Sequence, residues 1–178
     1  MILDKKQNNL GEEFLTAYDS YSKGIWRHIY LRLNNRHLAE DLTSDTFLKA
    51  WQYIMEGKEI KNFKAFLYQI ANNLIIDQYR QKHKETVSLE EVSETPDIEK
   101  ISVEKKIDDE AMVDFIKKRL NELPDDYKQI VIFRYIDELS VGEIKNITGK
   151  SITNIYVIIH RALKSLKQKL PKYQKNGK

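Results

Sequence analysis

The 178 residues are 41% hydrophobic and 32% charged, a balance that allows a folded protein without one large core. There are no cysteines, which excludes disulfides and thiolate metal sites and fits a reducing cytoplasm. No apolar run reaches bilayer-spanning length, and the polar start MILDKKQNNLGEEF carries no signal-peptide core. A soluble, cytoplasmic protein without membrane insertion is therefore expected.

The net charge of +3 is unevenly placed. Residues 1–84 hold 13 Lys/Arg against 10 Asp/Glu, residues 85–110 hold 3 against 10, and residues 111–178 hold 14 against 7. Two basic blocks thus flank an acidic bridge. Such blocks suit nucleic acid, although many basic surfaces bind nothing specific.

Glu12 to Leu33 has helical spacing, with Phe14, Leu15, Tyr18, Tyr21, Ile25, Trp26 and Ile29 as its apolar stripe. Asn34-Asn35 marks a turn. A second helix, His37 to Ile54, turns Ala39, Leu42, Thr46, Phe47, Ala50, Trp51 and Ile54 inward. Asp41, Asp45, Leu48 and Gln52 share its opposite face. With no third ligand at metal spacing, this face is either simply solvated or a docking surface for a partner's arginines, with Leu48 adding apolar contact. The loop EGKEIKN, residues 56–62, holds Lys58, Lys61 and Asn62, and Gly57 supplies its turn.

From Asn62 to Lys84, about 100° per residue places Phe63, Phe66, Leu67, Ile70, Ala71 and Leu74 on a core side. Tyr68, Asn72, Ile75, Ile76 and Tyr79 are expected on the other side, followed by Arg80, Lys82 and Lys84. That second face either packs another helix or presents rings, an amide and cations to unpaired bases and their phosphates.

Residues 85–110 contain Pro96, are strongly acidic and lack periodicity, and are expected to form an extended linker. Helical spacing resumes at 111–123. Pro124 suits the first position of the next helix, with Asp125 and Asp126 in its first turn. Ser140 and Glu143 predict a capping box opening a short helix, Thr148-Gly149-Lys150 a tight turn, and Ser151 the cap of a longer helix to about Leu170. This is the pattern of a helix-turn-helix. In the longer helix Ile152, Ile155, Ile159, Ala162, Leu163 and Leu166 are expected inward. Thr153, Asn154, Val157, His160, Arg161 and Lys164 are expected outward. A basic tail, 171–178, follows.

Taken together, AEDLTSDTFLKAW, FKAFLYQIANNLIIDQYRQK and LNELPDDYKQIVIFRYIDELSVGEIKNITGKSITNIYVIIHRAL resemble, in order, the polymerase-binding helix, promoter-melting helix and promoter-reading domain of the two-domain bacterial sigma factors of the extracytoplasmic-function group. The resemblance spans about residues 10–170. It implies an all-α fold of two small helical domains, 1–84 and 111–170, joined by the acidic linker. It also implies a transcription initiation factor that binds core RNA polymerase through the clamp helices of the largest subunit and the flap of the second-largest. Asp41, Asp45 and Leu48 would dock on the clamp helices. Lys58, Lys61, Asn62, Phe63, Tyr68, Asn72 and Tyr79 would hold the melted minus-ten strand, with Arg80, Lys82 and Lys84 on its backbone. The linker would thread polymerase channels that otherwise carry RNA. Lys150, Thr153, Asn154, Tyr156, Val157 and Arg161 would face the minus-thirty-five element. Promoter DNA and an anti-sigma or other recruiting protein are the further partners implied.

One departure is visible. The family usually has Lys or Arg where this chain has Tyr156 and Ile158, which predicts weaker or more apolar upstream readout, of thymine methyls for example. The four histidines are scattered, and there is no Gly-rich phosphate loop. No catalytic residue, metal or cofactor is expected, so the protein is read as a non-enzyme. The alternative is a stand-alone helix-turn-helix regulator.

Overall fold

The computed structural model describes residues 2–88 and 116–169, and every regular element among them is helical. The chain divides into two compact units, Met1–Glu99 and Lys100–Lys178.

In the first unit α1 (Ile2–Leu33), α2 (Arg36–Met55) and α3 (Phe63–Ser88) pack pairwise against one another. The connection from α1 to α2 is as tight as its two asparagines allow. Asn34 takes a left-handed conformation (φ 52°), which asparagine tolerates better than most side chains, and its N–H donates to the Tyr30 carbonyl at 2.8 Å. The Asn35 side chain then accepts from the Leu38 N–H at 3.0 Å and caps α2. At the far end Gly57 (φ 76°) turns the chain away from α2. Asn62 starts α3, its amide oxygen accepting from the Ala65 N–H at 3.0 Å.

The α2 face is as expected: Ala39, Leu42, Thr46, Phe47, Ala50 and Ile54 are buried, and Trp51 is half-buried. Phe47 takes the edges of Phe14 and Tyr18 from α1 at centroid distances of 6.2 and 4.7 Å. Ile25 and Ile29 are sealed, but Leu15 and Tyr18 are exposed, so only part of the expected α1 stripe is core. His28, not expected in the interior, is fully buried.

The face of α3 differs from expectation. Its buried residues are Leu67, Tyr68, Ala71, Asn72 and Ile75, whereas Phe63, Phe66, Ile70 and Leu74 are half-buried. The helix is rotated about a quarter-turn from the expected orientation, one residue step of roughly 100°. Gly24 on α1 makes this possible. A Cβ there would stand 3.0 Å from the Tyr68 hydroxyl, so glycine leaves the space that the ring fills. The His28 and Tyr68 rings meet edge to face, 5.4 Å apart at 86°.

The second unit holds α4 (residues 116–121), α5 (Asp125–Val131), α6 (Val141–Thr148) and α7 (Ile152–Lys169). Pro124 is the cap residue of α5, one position before the expected first turn, and Asp125 and Asp126 occupy that turn. Beyond Val131 the helix widens into a π-turn, Ile132–Ile136, closed by the Asp137 N–H on the Ile132 carbonyl at 3.0 Å. Ile130, Val131, Ile132 and Phe133 are all buried across this widening. The Arg134 guanidinium donates to the Leu139 carbonyl at 3.0 Å, which ties down the left-handed Glu138 (φ 56°) before α6 begins.

The capping box is complete. The Ser140 hydroxyl accepts from the Glu143 N–H, and the Glu143 carboxylate accepts from the Ser140 N–H at 2.7 Å. Gly149 (φ 70°) ends α6, and the Ser151 hydroxyl accepts from the Asn154 N–H at 3.2 Å to open α7.

The stretch expected as linker is helical at its start, since α3 continues to Ser88. Its remainder, the expected helix start at 111 and the tail 171–178 lie outside the described residues.

Tyr68→Ala should destabilise the first unit by about 3–5 kcal/mol, the cost of emptying a buried aromatic site. Trp26 and Trp51 both lie in that unit, so fluorescence-monitored denaturation reports it. A loss within about 0.5 kcal/mol, as at an exposed ring, would contradict the packing.

Candidate nucleic-acid interface

Three exposed surfaces carry the residues singled out from the sequence. On α2, Asp41, Asp45 and Leu48 all face solvent, Leu48 with 54% of its surface exposed. The two carboxylates stand one turn apart, and among the described residues neither joins an ion pair. The face is acidic with an apolar side chain at its C-terminal end, and its charge is available to a cationic partner.

On α3 the expected DNA-facing set separates. Tyr68 is 3% exposed and Asn72 1%, so both side chains face the interior of the unit and not the solvent. Ile75, expected on the same outward face, is fully buried. These placements are corrected, and the cause is the rotation set by Gly24 and Tyr68. Tyr79 keeps an exposed ring, while its hydroxyl donates to the Arg32 carbonyl at 2.9 Å, so the ring is held rather than free to swing. Phe63 is half-buried at the start of the helix. Arg80, Lys82 and Lys84 are exposed; Arg80 lies 3.6 Å from Asp77 in a pair so open to solvent that it weighs little.

The rotation brings other residues outward. Gln69 and Asn73, one turn apart, are exposed on the same side as Arg80. Sequence reasoning passed over them because the stripe Leu67, Ala71, Ile75, which would have set the helix correctly, was outweighed by Phe63 and Phe66.

In the loop before α3, Lys58 is paired with Glu56 and sits 4.9 Å above the Tyr53 ring. The hydrogen bond that Lys58 donates to the Glu56 carboxylate, with the charge of that carboxylate, raises the pKa of the Lys58 ammonium above its ordinary value. Lys61 is exposed, and Asn62 spends its amide oxygen on the cap of α3.

On α7, Thr153, Asn154, Tyr156, Val157, His160, Arg161 and Lys164 are exposed, Tyr156 at 58%. Six of them, Asn154 apart, line one shallow open recess. Lys150 is half-buried and its ammonium lies 3.0 Å from Asp126, so its charge is already matched. Ile152 and Leu163, expected inward, are exposed on one flank of the helix. Ile158 is 5% exposed and belongs to the core. Of the two positions at which a cation is missing, only Tyr156 faces outward.

Residues 17–85 match the family profile described as Sigma-70 region 2, and residues 116–166 match Sigma-70, region 4. The chain is 30% identical to the ECF RNA polymerase sigma factor SigW of Bacillus subtilis (strain 168), across 93% of this chain and 94% of that one. It is also 30% identical to the ECF RNA polymerase sigma factor BldN of Streptomyces coelicolor, across 96% of this chain and 65% of that longer protein. Among solved structures its fold is similar to the sigma factor RpoE of Bartonella quintana, determined in complex with the anti-sigma factor NepR. The TM-score is 0.68 at 24% identity, covering 88% of this chain and 96% of that one.

Adding a lysine at the two neighbouring positions should have opposite results. Tyr156→Lys should leave the unfolding midpoint of the second unit within about 0.5 kcal/mol of the parent. Ile158→Lys should cost about 3 kcal/mol or more by burying an unpaired charge. Amide exchange at Ile155 and Ala162 distinguishes the two, and equal protection in both variants would refute the burial of Ile158.

Proposed function

The chain belongs to the extracytoplasmic-function RNA polymerase sigma factors, and on that premise we propose how its three exposed faces divide the work of transcription initiation. The acidic face of α2 docks on core polymerase through Asp41, Asp45 and Leu48. The outer side of α3, with the preceding loop, holds the separated minus-ten strand. The recess on α7 meets the upstream duplex. The observation that carries the docking assignment is the pair of exposed carboxylates flanking an exposed leucine with no partner among the described residues. Unpaired carboxylates steer a cationic partner to the face, and the exposed leucine one turn on adds apolar area that docking would bury.

For the melted strand, Gln69 and Asn73 supply amides that can donate to and accept from unpaired base edges. Tyr79 offers a ring held in place, and Lys61, Arg80, Lys82 and Lys84 meet phosphates. Stacking on an aromatic ring contributes about 1–3 kcal/mol per base, comparable to the few kcal/mol needed to unpair one. Binding energy alone can therefore trap the open strand, and the protein works without a catalytic group of its own.

It acts in the cytoplasm, where polymerase and promoter are found; among the described residues no helix is long and apolar enough to cross a membrane. An anti-sigma protein, the class bound to the similar structure, would control it by covering these faces. A stand-alone regulator using α6 and α7 only would leave the acidic face of α2 without a role.

Asp41→Arg with Asp45→Arg should abolish co-purification with core polymerase while leaving the fold intact, because both positions are exposed. Retained binding would remove the docking assignment. Gln69→Ala with Asn73→Ala should shorten the lifetime of the open complex about five-fold or more per lost base contact. Tyr68→Phe should leave that lifetime unchanged, since its ring serves the interior. The reverse ranking would restore Tyr68 to the DNA.

A further inference from the structure

The recess on α7 has an apolar centre and a basic rim. Val157 is exposed in its middle, with Thr153 one turn before it and Arg161 and Lys164 one and two turns after it. Among the described residues neither Arg161 nor Lys164 is engaged by a carboxylate, whereas Lys150 is held by Asp126. Ile152 and Leu163 are exposed on the flank of the helix and the Tyr156 ring lines the recess, but Val157 is the one purely aliphatic side chain in that lining, and it gains nothing from water. It gains from an apolar group delivered to it.

In the major groove of DNA the one apolar group on a base edge is the C5 methyl of thymine. An isopropyl group pressed on a guanine or adenine edge would strip water from acceptors without replacing their hydrogen bonds. The same group on a thymine methyl buries carbon against carbon. Thr153 adds a methyl of its own beside a hydroxyl. Side chains one turn apart are separated by about 5–6 Å, and base pairs rise by about 3.4 Å, so the two methyl-bearing residues span one or two steps of duplex.

We infer that α7 selects upstream promoter DNA by thymine methyls, through Val157 and Thr153 at two positions one or two base pairs apart. Arg161 and Lys164 clamp the flanking phosphates. This deepens the assignment of α7 to the upstream duplex and rests on it. The cations fix register without carrying sequence, and the specificity lies in the apolar pair.

The test uses holoenzyme reconstituted from core polymerase and the full chain, selecting from a pool of promoters with one helical turn of upstream duplex randomised. The enriched element should carry thymine at two such positions. Replacing each by deoxyuridine, which lacks only the methyl, should weaken binding about four-fold, the weight of one buried carbon. Val157→Ser should erase that penalty at one position and Thr153→Ser at the other. Indifference to deoxyuridine, or a penalty that survives both substitutions, overturns the inference. If the holoenzyme initiates but enriches no upstream thymine, methyl selection falls and the sigma assignment stands. If it neither selects DNA nor initiates, both fall.

Discussion

The rotation of α3 about its own axis decides which of its residues face solvent and so which are open to the proposed DNA contacts, and it goes with the close approach of Tyr68 to Gly24. Tyr68 sits in the core against Gly24 of α1, and His28 meets the ring edge-on. A Cβ at 24 would stand 3.0 Å from the hydroxyl, a tight contact that the Tyr68 side chain could relieve only by shifting. With Tyr68 inside, Asn72 and Ile75 follow on the same stripe, and Gln69, Asn73 and Arg80 turn to solvent. A polar hydroxyl, an amide and an imidazole in so small a core are costly unless satisfied, and such clusters admit few alternative packings. The interior polar groups thus act as a register for the exposed face.

That logic explains where sequence reasoning succeeds and where it fails. Caps and turns are set by two or three adjacent residues, so the Ser140–Glu143 box, the left-handed Gly149, the Asn34-Asn35 turn and the Asp125–Asp126 first turn are all legible. The face of α2 is legible too, because its apolar and charged residues are sharply separated. α3 is not of that kind. Phe63, Phe66, Ile70, Leu74 and Ile76 are half-buried around much of its circumference, so periodicity alone leaves the rotation open. The stripe Leu67, Ala71, Ile75 is the one local cue to it, and the contact between residues 24 and 68 that supports it has no local signature. Ile158 fails for a related reason: aligning it with a family cation ignored its place on the buried stripe of Ile155, Ile159 and Ala162. The π-turn after Val131 has no composition cue at all, yet it buries Ile132 and Phe133 directly after the buried Ile130 and Val131 of α5.

The faces on α2 and α7 share a further property: among the described residues, Asp41, Asp45, Arg161 and Lys164 leave their charge uncommitted. The committed cations on the proposed DNA contacts are Lys58 with Glu56, Arg80 loosely with Asp77, and Lys150 with Asp126. Exposed pairs contribute little to stability, so their effect is chiefly to remove a cation from the phosphate field. Lys150 precedes α7, where a free ammonium would strengthen binding to any duplex regardless of sequence.

Neutralising Lys150 while leaving the apolar centre of α7 open shifts the balance from general attraction toward selection. A bidentate arginine–guanine contact discriminates by about 1–3 kcal/mol, and a methyl contact by somewhat less than one. A domain that reads DNA in this way holds no promoter tightly on its own. Its contacts become decisive only when another surface has already brought the chain to the DNA, so that upstream recognition adds to a complex already anchored. In the proposed division of work the acidic face of α2 supplies that anchor. A weak reader on α7 and an uncommitted docking face on α2 would then be two halves of one arrangement, in which affinity comes from the polymerase and choice of promoter from small differences at α3 and α7.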